Sequence, residues 1–376
     1  GRCGREPVEV RVFLTAPISQ PVRGNPGPCD IFSQPVDAVA RAKHCPLWTV
    51  PMLLGLRPII WQNISCEGPR ILRRSLLKHC LLAVGAAGLC VAMASPSQAA
   101  FKPKVQYAQV GDVKLAYYMR GQGKPLLMIN GFISTMSLWD PLLVEDLAKH
   151  HQLIFFDNRG VGLSTDTPEN KTTIPQMADD TAGLIKALGL QKPDILGWSM
   201  GARIAQQLLI RHPALVGKAV LAAPNPGGSH NIPADKDVED KLNNPDLPDT
   251  EKLALLVPPV DGGAAAAKEI FDRIQRAAKQ GTAPDDFNVS KQTTERQDRA
   301  RTTLWSADES NFNDLKNIKN PVLVTDGRYD VIDKPANAVI IAGQIPFAWL
   351  AFYNGGHAFL FEQHRKFADT VDVFLN

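Results

Sequence analysis

The chain has 376 residues, 44% of them hydrophobic and 21% charged, enough for one large α/β domain plus an extension or for two ordinary domains, with ample apolar material for a core. Residues 1–100 hold 11 Lys/Arg against 5 Asp/Glu, whereas residues 101–376 hold 30 against 33. The larger part is therefore mildly acidic, a balance that argues against a nucleic-acid partner. All six cysteines (Cys3, Cys29, Cys45, Cys66, Cys80 and Cys90) precede residue 100, so residues 101–376 have no disulfide, no thiolate nucleophile and no cysteine-ligated metal.

Residues 1–70 form an unassigned extension, rich in Pro, Gly and Cys and without a sustained hydrophobic period. One expectation is that translation starts downstream, for instance at Met52, the first Met; a genuine cysteine-bearing extension is the competing reading. Residues 71–99 read as a signal peptide: basic residues Arg73, Arg74 and Lys78, then an apolar run at 80–94, then small residues ending at Ala99 and Ala100. Fifteen uncharged residues fall short of the ~20 that a permanent helical anchor needs, so export to the periplasm or medium is expected, with cleavage after Ala99 or, as a second option, after Ala94. The pair Arg73-Arg74 leaves the twin-arginine and general secretory routes both open. Leu89 before Cys90 is too large for a lipoprotein site.

From residue 101 strands and helices alternate. Strands are predicted at 105–108, 113–119, 125–129, 153–156, 194–197 and 218–223, and helices at 138–149, 177–188 and 202–211. The pattern breaks at about 225–318, which is Pro- and Gly-rich and then helical at 264–279 and 290–305. It resumes with strands at 322–325 and 349–353 and helices at 337–344 and 358–375. Fully apolar strands separated by amphipathic helices predict an α/β fold: a mostly parallel sheet with helices on both faces, interrupted by an inserted helical cap.

Gly197-Trp198-Ser199-Met200-Gly201 lies between a predicted strand and a predicted helix. A strand that turns sharply into a helix strains its turn residue and needs small neighbours two positions to either side, which leaves Ser199 projecting above the strand ends. The helix start behind it favours developing negative charge. Among the 8 histidines, His44 and His79 precede the folded body, while His150, His151, His212, His230 and His364 fall beside or inside predicted elements. His357 alone falls on a Gly-flanked loop after a strand, where a base for Ser199 belongs. A serine hydroxyl needs such a base, and the base needs a carboxylate to fix its tautomer. Asp326, at the end of a strand, and Asp330, just beyond it, are both open to that role on position alone. Asp157 and Arg159 read as loop braces. No metal-ligand spacing or dinucleotide fingerprint is present, and Gly121-Gln-Gly123 is followed by Lys124-Pro125 where a phosphate-cradling helix would have to open. No cofactor is expected.

In these motifs the sequence resembles the α/β-hydrolase superfamily over essentially all of 105–376. The segment Asp157-Asn-Arg-Gly-Val-Gly-Leu-Ser164 is similar to the family's loop before the nucleophile strand, Asn130-Gly131-Phe132 stands where many members have His-Gly, and Gly327-Arg-Tyr-Asp330 and Gly356-His357 follow strands as the family's acid and histidine do. The order Ser, Asp, His is also the family's. The resemblance implies Ser199 as nucleophile, His357 as base, Asp330 as the acid, and the backbone N–H groups of Phe132 and Met200 as the oxyanion hole. Asn130 departs from the pattern and removes that motif as a guide to substrate. The resemblance implies a cofactor-free serine hydrolase acting on a carboxylic ester or lactone, with a perhydrolase or haloperoxidase on the same triad as the alternative and a non-catalytic binding protein as the third reading. The partner expected is a small molecule with an apolar acyl part, for which Phe271, Phe287, Trp305 and Phe312 either line a pocket or, as is the commoner role for any single one, pack the core of the cap.

Overall fold

All eight predicted strands assemble into a single sheet in the computed structural model, which describes residues 9–14 and 101–376 apart from 245 and 261. The signal read at 71–99 and all of the extension except 9–14 lie outside the described residues. Nine strands pair in the order β1-β9-β8-β7-β6-β4-β5-β3-β2. They are β1 (Glu9–Leu14), β2 (Gln106–Val110), β3 (Val113–Arg120), β4 (Lys124–Ile129), β5 (His151–Phe156), β6 (Asp194–Trp198), β7 (Ala219–Ala222), β8 (Val322–Gly327) and β9 (Phe347–Tyr353). The six strands β5, β4, β6, β7, β8 and β9 run parallel, while β2, β3 and β1 join antiparallel at the edges. Strand β1 lies in the stretch to which the sequence assigned no element. It pairs with the outer edge of β9, Glu9 opposite Phe352 and Leu14 opposite Phe347, and its opening Glu-Val-Arg-Val alternates with the period of a strand.

The central strands carry apolar residues on both faces because both faces are covered. Leu127, Ile129, Ile154, Phe156, Ile195 and Leu221 point to one side, where they pack with residues of α2 (Ile174–Ala187), α3 (Met200–Arg211) and α9 (Pro335–Gln344). Leu126, Met128, Leu153, Phe155, Leu196 and Val220 point to the other, against α1 (Pro141–Leu147), α10 (Phe359–Glu362) and α11 (His364–Leu375). This two-residue alternation turns one apolar run into two cores, and each fully buried aliphatic or aromatic side chain contributes about 1.5–3 kcal/mol.

Between β7 and β8 the chain forms α4 (Lys236–Asn243), α5 (Asp249–Ala254), α6 (Gly263–Lys279), α7 (Lys291–Arg299) and α8 (Glu309–Asp314). Helices α4, α5 and α8 are six to eight residues long and too short to show an apolar period, which is why the sequence reading begins its helices only at 264. The helix predicted at 290–305 is α7 followed by one wide turn of π-helix at Ala300–Leu304. The last predicted helix is two, α10 and α11, parted at Gln363 where the backbone leaves helical geometry. Among the described residues no helix is long and apolar enough to cross a membrane.

Candidate active site

The turn from β6 into α3 forces Ser199 to φ 57° and ψ −121°, a conformation an L-residue adopts only where its surroundings impose it. Those surroundings are the two glycines. A Cβ on Gly197 would run into the carbonyl of Gly201, and one on Gly201 into the carbonyl of Ile129. The Ser199 N–H donates to the Ala222 carbonyl at 2.8 Å, which fixes the elbow to β7. Met200 is the first residue of α3, so its N–H is one of those a helix start leaves unused by its own hydrogen bonds. The loop after β4 comes close from the other side: a Cβ on Gly131 would lie 3.3 Å from that of Ser199.

His357 is carried by the loop after β9. Its Nδ1 lies 2.7 Å from Asp330 Oδ2, and the other oxygen of Asp330 accepts from the N–H groups of Ile332 at 2.7 Å and Asp333 at 3.1 Å. The two loops approach because Gly327 has no side chain, since a Cβ there would strike the carbonyls of Gly355 and Gly356. Trp198 contributes as well, its Nε1 donating to the His357 carbonyl at 3.0 Å. Burial opposes protonation of His357, yet the Asp330 carboxylate, aided by Asp333, outweighs it and holds the imidazole pKa above its ordinary value.

The choice between the two carboxyls left open by position is made by geometry: Asp330, not Asp326, is on the imidazole. Asp326 is fully buried and accepts from its neighbour Gly327 N–H at 2.8 Å. Burial, with the carboxylates of Asp330 and Asp333 nearby, raises its pKa well above the usual carboxyl range.

Ser199, His357, Phe132 and Met200 all line one cavity of about 490 Å³. Its walls come from both parts of the chain: Leu138, Trp198 and Phe361 below, and Leu253, Leu256, Ile270, Phe271, Ile274 and Phe287 from the segment between β7 and β8. Of the four aromatic residues proposed for an acyl pocket, Phe271 and Phe287 are there. The other two are not. Trp305 is buried with its Nε1 donating to Asn225 at 3.1 Å, and Phe312 stacks on His230 with ring centres 3.6 Å apart.

The predicted loop braces act as such. Asp157 accepts from Met136 N–H at 2.7 Å and Leu163 N–H at 3.0 Å, and burial pushes its pKa up to about 6. Arg159 is fully buried and paired with Asp180 at 2.6 Å and 2.8 Å. Asn130 turns away to the Phe156 carbonyl at 3.3 Å.

Two features carry no signal in the sequence. Ile133, next to Phe132, has φ 47°, a costly conformation for a β-branched residue, and its N–H is held at 2.9 Å by Gln297 of α7. Arg203 of α3 grips Asp333 with 2.9 Å and 3.1 Å contacts, and Asn225 donates to the same carboxylate at 3.0 Å. Burial opposes the Asp333 charge, but Arg203, His357 and Asn225 hold its pKa below the ordinary range. A search on sequence finds neither, because the partners are 164 and 130 positions apart. Among the described residues no group of three or more His, Cys, Asp or Glu is arranged to hold a metal ion.

A family model described as the alpha/beta hydrolase fold matches residues 124–363. A poly(3-hydroxyalkanoate) depolymerase of Ectopseudomonas oleovorans is 27% identical over 257 residues, 67% of this chain and 84% of that protein. A candidate non-heme bromoperoxidase of Mycobacterium tuberculosis is 42% identical, but over 112 residues, 30% of this chain and 42% of that protein; the first of the curated relatives are thus matched over less than half of their own length. An alpha/beta hydrolase fold protein from Chitinophaga pinensis has a solved structure that superposes with a TM-score of 0.61 at 26% identity, covering 74% of this chain and 98% of that one.

Proposed function

The chain belongs to the α/β-hydrolase fold family, and from that premise we propose that it is a serine hydrolase cleaving a carboxylic ester or lactone through an acyl-enzyme. The observation that carries the reading is the buried His357–Asp330 pair at 2.7 Å, with its histidine and the strained Ser199 on one cavity wall. In the proposed mechanism Ser199 Oγ attacks the carbonyl carbon while His357 Nε2 takes its proton. Asp330 keeps the proton on Nδ1 and stabilises the imidazolium. The oxyanion of the tetrahedral intermediate is received by the N–H groups of Phe132 and Met200, each worth about 3 kcal/mol in such sites. His357 then returns the proton to the leaving oxygen, and water repeats the cycle on the acyl-enzyme. A cavity walled by leucine, isoleucine and phenylalanine suits an apolar chain on the substrate.

The likeness to the bromoperoxidase favours a second reading, in which hydrogen peroxide replaces water at the acyl-enzyme. Chromogenic esters of graded acyl length, hydrolysed with and without hydrogen peroxide, test both. Peroxide-independent release supports the hydrolase, peracid formation at the expense of free acid supports the perhydrolase, and no turnover of any ester refutes both. Export is part of the proposal, on the basic, apolar and small residues of 71–100. Sequencing the mature N-terminus should begin it near Ala100, and a full-length protein in the cytoplasm would refute export.

A further inference from the structure

The cavity walls are uneven in charge. Three cationic side chains line it, Arg203, Lys252 and Arg301, and among the described residues no Asp or Glu does. Arg203 is 6% exposed and already matched by Asp333. Its Nη1 donates to the backbone carbonyl of Arg301 at 2.7 Å, which ties α3 to the π-helical turn. Arg301 is different. Its guanidinium lies over the Phe132 ring at 4.2 Å, and among the described residues its ion pair is with Asp298 at 2.6 Å, a carboxylate whose side chain is 43% exposed. Both arginines keep a buried Nε–H with no partner.

Arg301 is only 17% exposed along its side chain, and a guanidinium with a buried open Nε–H and a half-solvated counter-ion is costly unless something completes it. Burial, offset in part by Asp298 and reinforced by the charge of Arg203, pulls the Arg301 pKa below its ordinary value. The cost is borne at the point where the turn meets the ring of the residue beside Ser199.

We propose that Arg301, assisted by Arg203, forms a carboxylate-binding subsite, and that the substrate is an ester or lactone bearing a free carboxylate at a distance from the scissile bond. The substrate part of this rests on the hydrolase reading above; the binding part does not. A single carboxylate matches the one guanidinium left short of charge, since Asp333 already neutralises Arg203, whereas a phosphate dianion would bring two charges to that place. The planar N–H donors of arginine suit carboxylate oxygens. Ile270, Phe271 and Ile274 of α6 provide an apolar wall for the chain between the carboxylate and the reacting carbonyl.

The test uses the monomethyl esters of adipate, suberate and sebacate against the methyl esters of the monocarboxylic acids of equal length. Hydrolysis is followed by base titration, and binding to Ser199→Ala by calorimetry. The wild type should prefer the acidic ester by about tenfold or more in kcat/KM for at least one length, the range expected for charge-assisted hydrogen bonds. Arg301→Met should collapse that ratio toward unity, and Arg301→Lys, which keeps the charge but not the Nε–H, should retain part of it. In the Ser199→Ala background, Arg301→Met should weaken acidic-ester binding by about the same factor. Equal turnover of acidic and neutral esters by the wild type overturns the subsite and leaves the hydrolase standing. Arg301-dependent binding without turnover of any ester upholds the subsite and removes the hydrolase. A preference that survives Arg301→Met and disappears in Lys252→Met also overturns the assignment, placing the anion beside α5.

Discussion

The strand ends and the segment that covers them use different means to build one cavity. At the strand ends, position is set by backbone: Ser199 sits where it does because Gly197 and Gly201 have no side chains, and the acid and histidine loops touch because Gly327 has none. The covering segment works through side chains that reach long distances. Gln297 holds the Ile133 N–H, Thr135 donates to the Asp286 carbonyl at 2.8 Å, and Arg301 lies on Phe132. Backbone geometry of the first kind tolerates almost no substitution, whereas side-chain contacts of the second kind can be exchanged to suit a substrate. In the proposed reading, reaction type would follow from the strand ends and substrate selection from the segment above them.

The sharpest break in that comparison is Ser199→Ala. It should lower kcat by at least about 10³-fold, since removing the nucleophile of such a unit abolishes almost all of its catalysis. Labelling by a fluorophosphonate probe should vanish with it, and labelling that persists would place the nucleophile elsewhere.

Next comes the pair of carboxyls. Asp330→Asn should lower kcat by about 10⁴-fold through loss of the histidine tautomer. Asp326→Asn should cost about tenfold or less, because the amide oxygen can still accept the Gly327 N–H and Asp326 is not the carboxyl on the imidazole. Rates of the two variants decide the matter, and the reverse ranking would make Asp326 the acid. The pH profile sharpens the same point. His357 must be neutral to act as base and its pKa is raised, so kcat/KM should fall as pH drops through an apparent pKa above about 6.5. The Asp330→Asn variant should shift that limb to lower pH.

A smaller effect is expected across the divide between the two regions. Gln297→Ala removes the acceptor of the Ile133 N–H, a part-buried hydrogen bond worth about 0.5–1.5 kcal/mol. If Gln297 holds the loop that presents Phe132, kcat should fall about tenfold with KM for a short ester nearly unchanged, 1.4 kcal/mol corresponding to that factor. A thermal shift with no change in kcat would mean that the contact serves stability alone.

The smallest effect concerns Glu362, which accepts the Gly356 N–H at 2.8 Å beside His357 and whose pKa burial pushes up to about 7. An acid with a raised folded pKa loses stability as pH rises from its unfolded pKa to the folded one. Glu362→Gln should therefore raise the melting temperature at pH 8 by a few degrees relative to wild type, and by less at pH 5. An equal shift at both pH values would show that Glu362 does not titrate in this range.

Much of the scaffold was legible because it obeys local rules. Short apolar runs make doubly covered strands, and the Gly-x-Ser-x-Gly turn between strand and helix announces its own geometry. The loop carrying His357 was found by its place after a strand and its flanking glycines. The short helices α4, α5 and α8 were missed because six to eight polar residues carry no period. The break at Gln363 was missed because nothing in Phe-Glu-Gln-His forbids a helix; packing of α10 and α11 around Phe359 and Phe367 sets it.

What the sequence by itself indicated was the parallel sheet and the strained serine, each from residues near one another in the chain, and, through the family resemblance, the order of the candidate triad. The resemblance already favoured Asp330; only the tertiary structure put it rather than Asp326 on the imidazole, placed Phe271 and Phe287 on the cavity while burying Trp305 elsewhere, and set Gln297 and Arg301 against the loop of Phe132. Those outcomes depend on contacts between residues far apart in sequence, whose energies come from burial and charge pairing that no local pattern records.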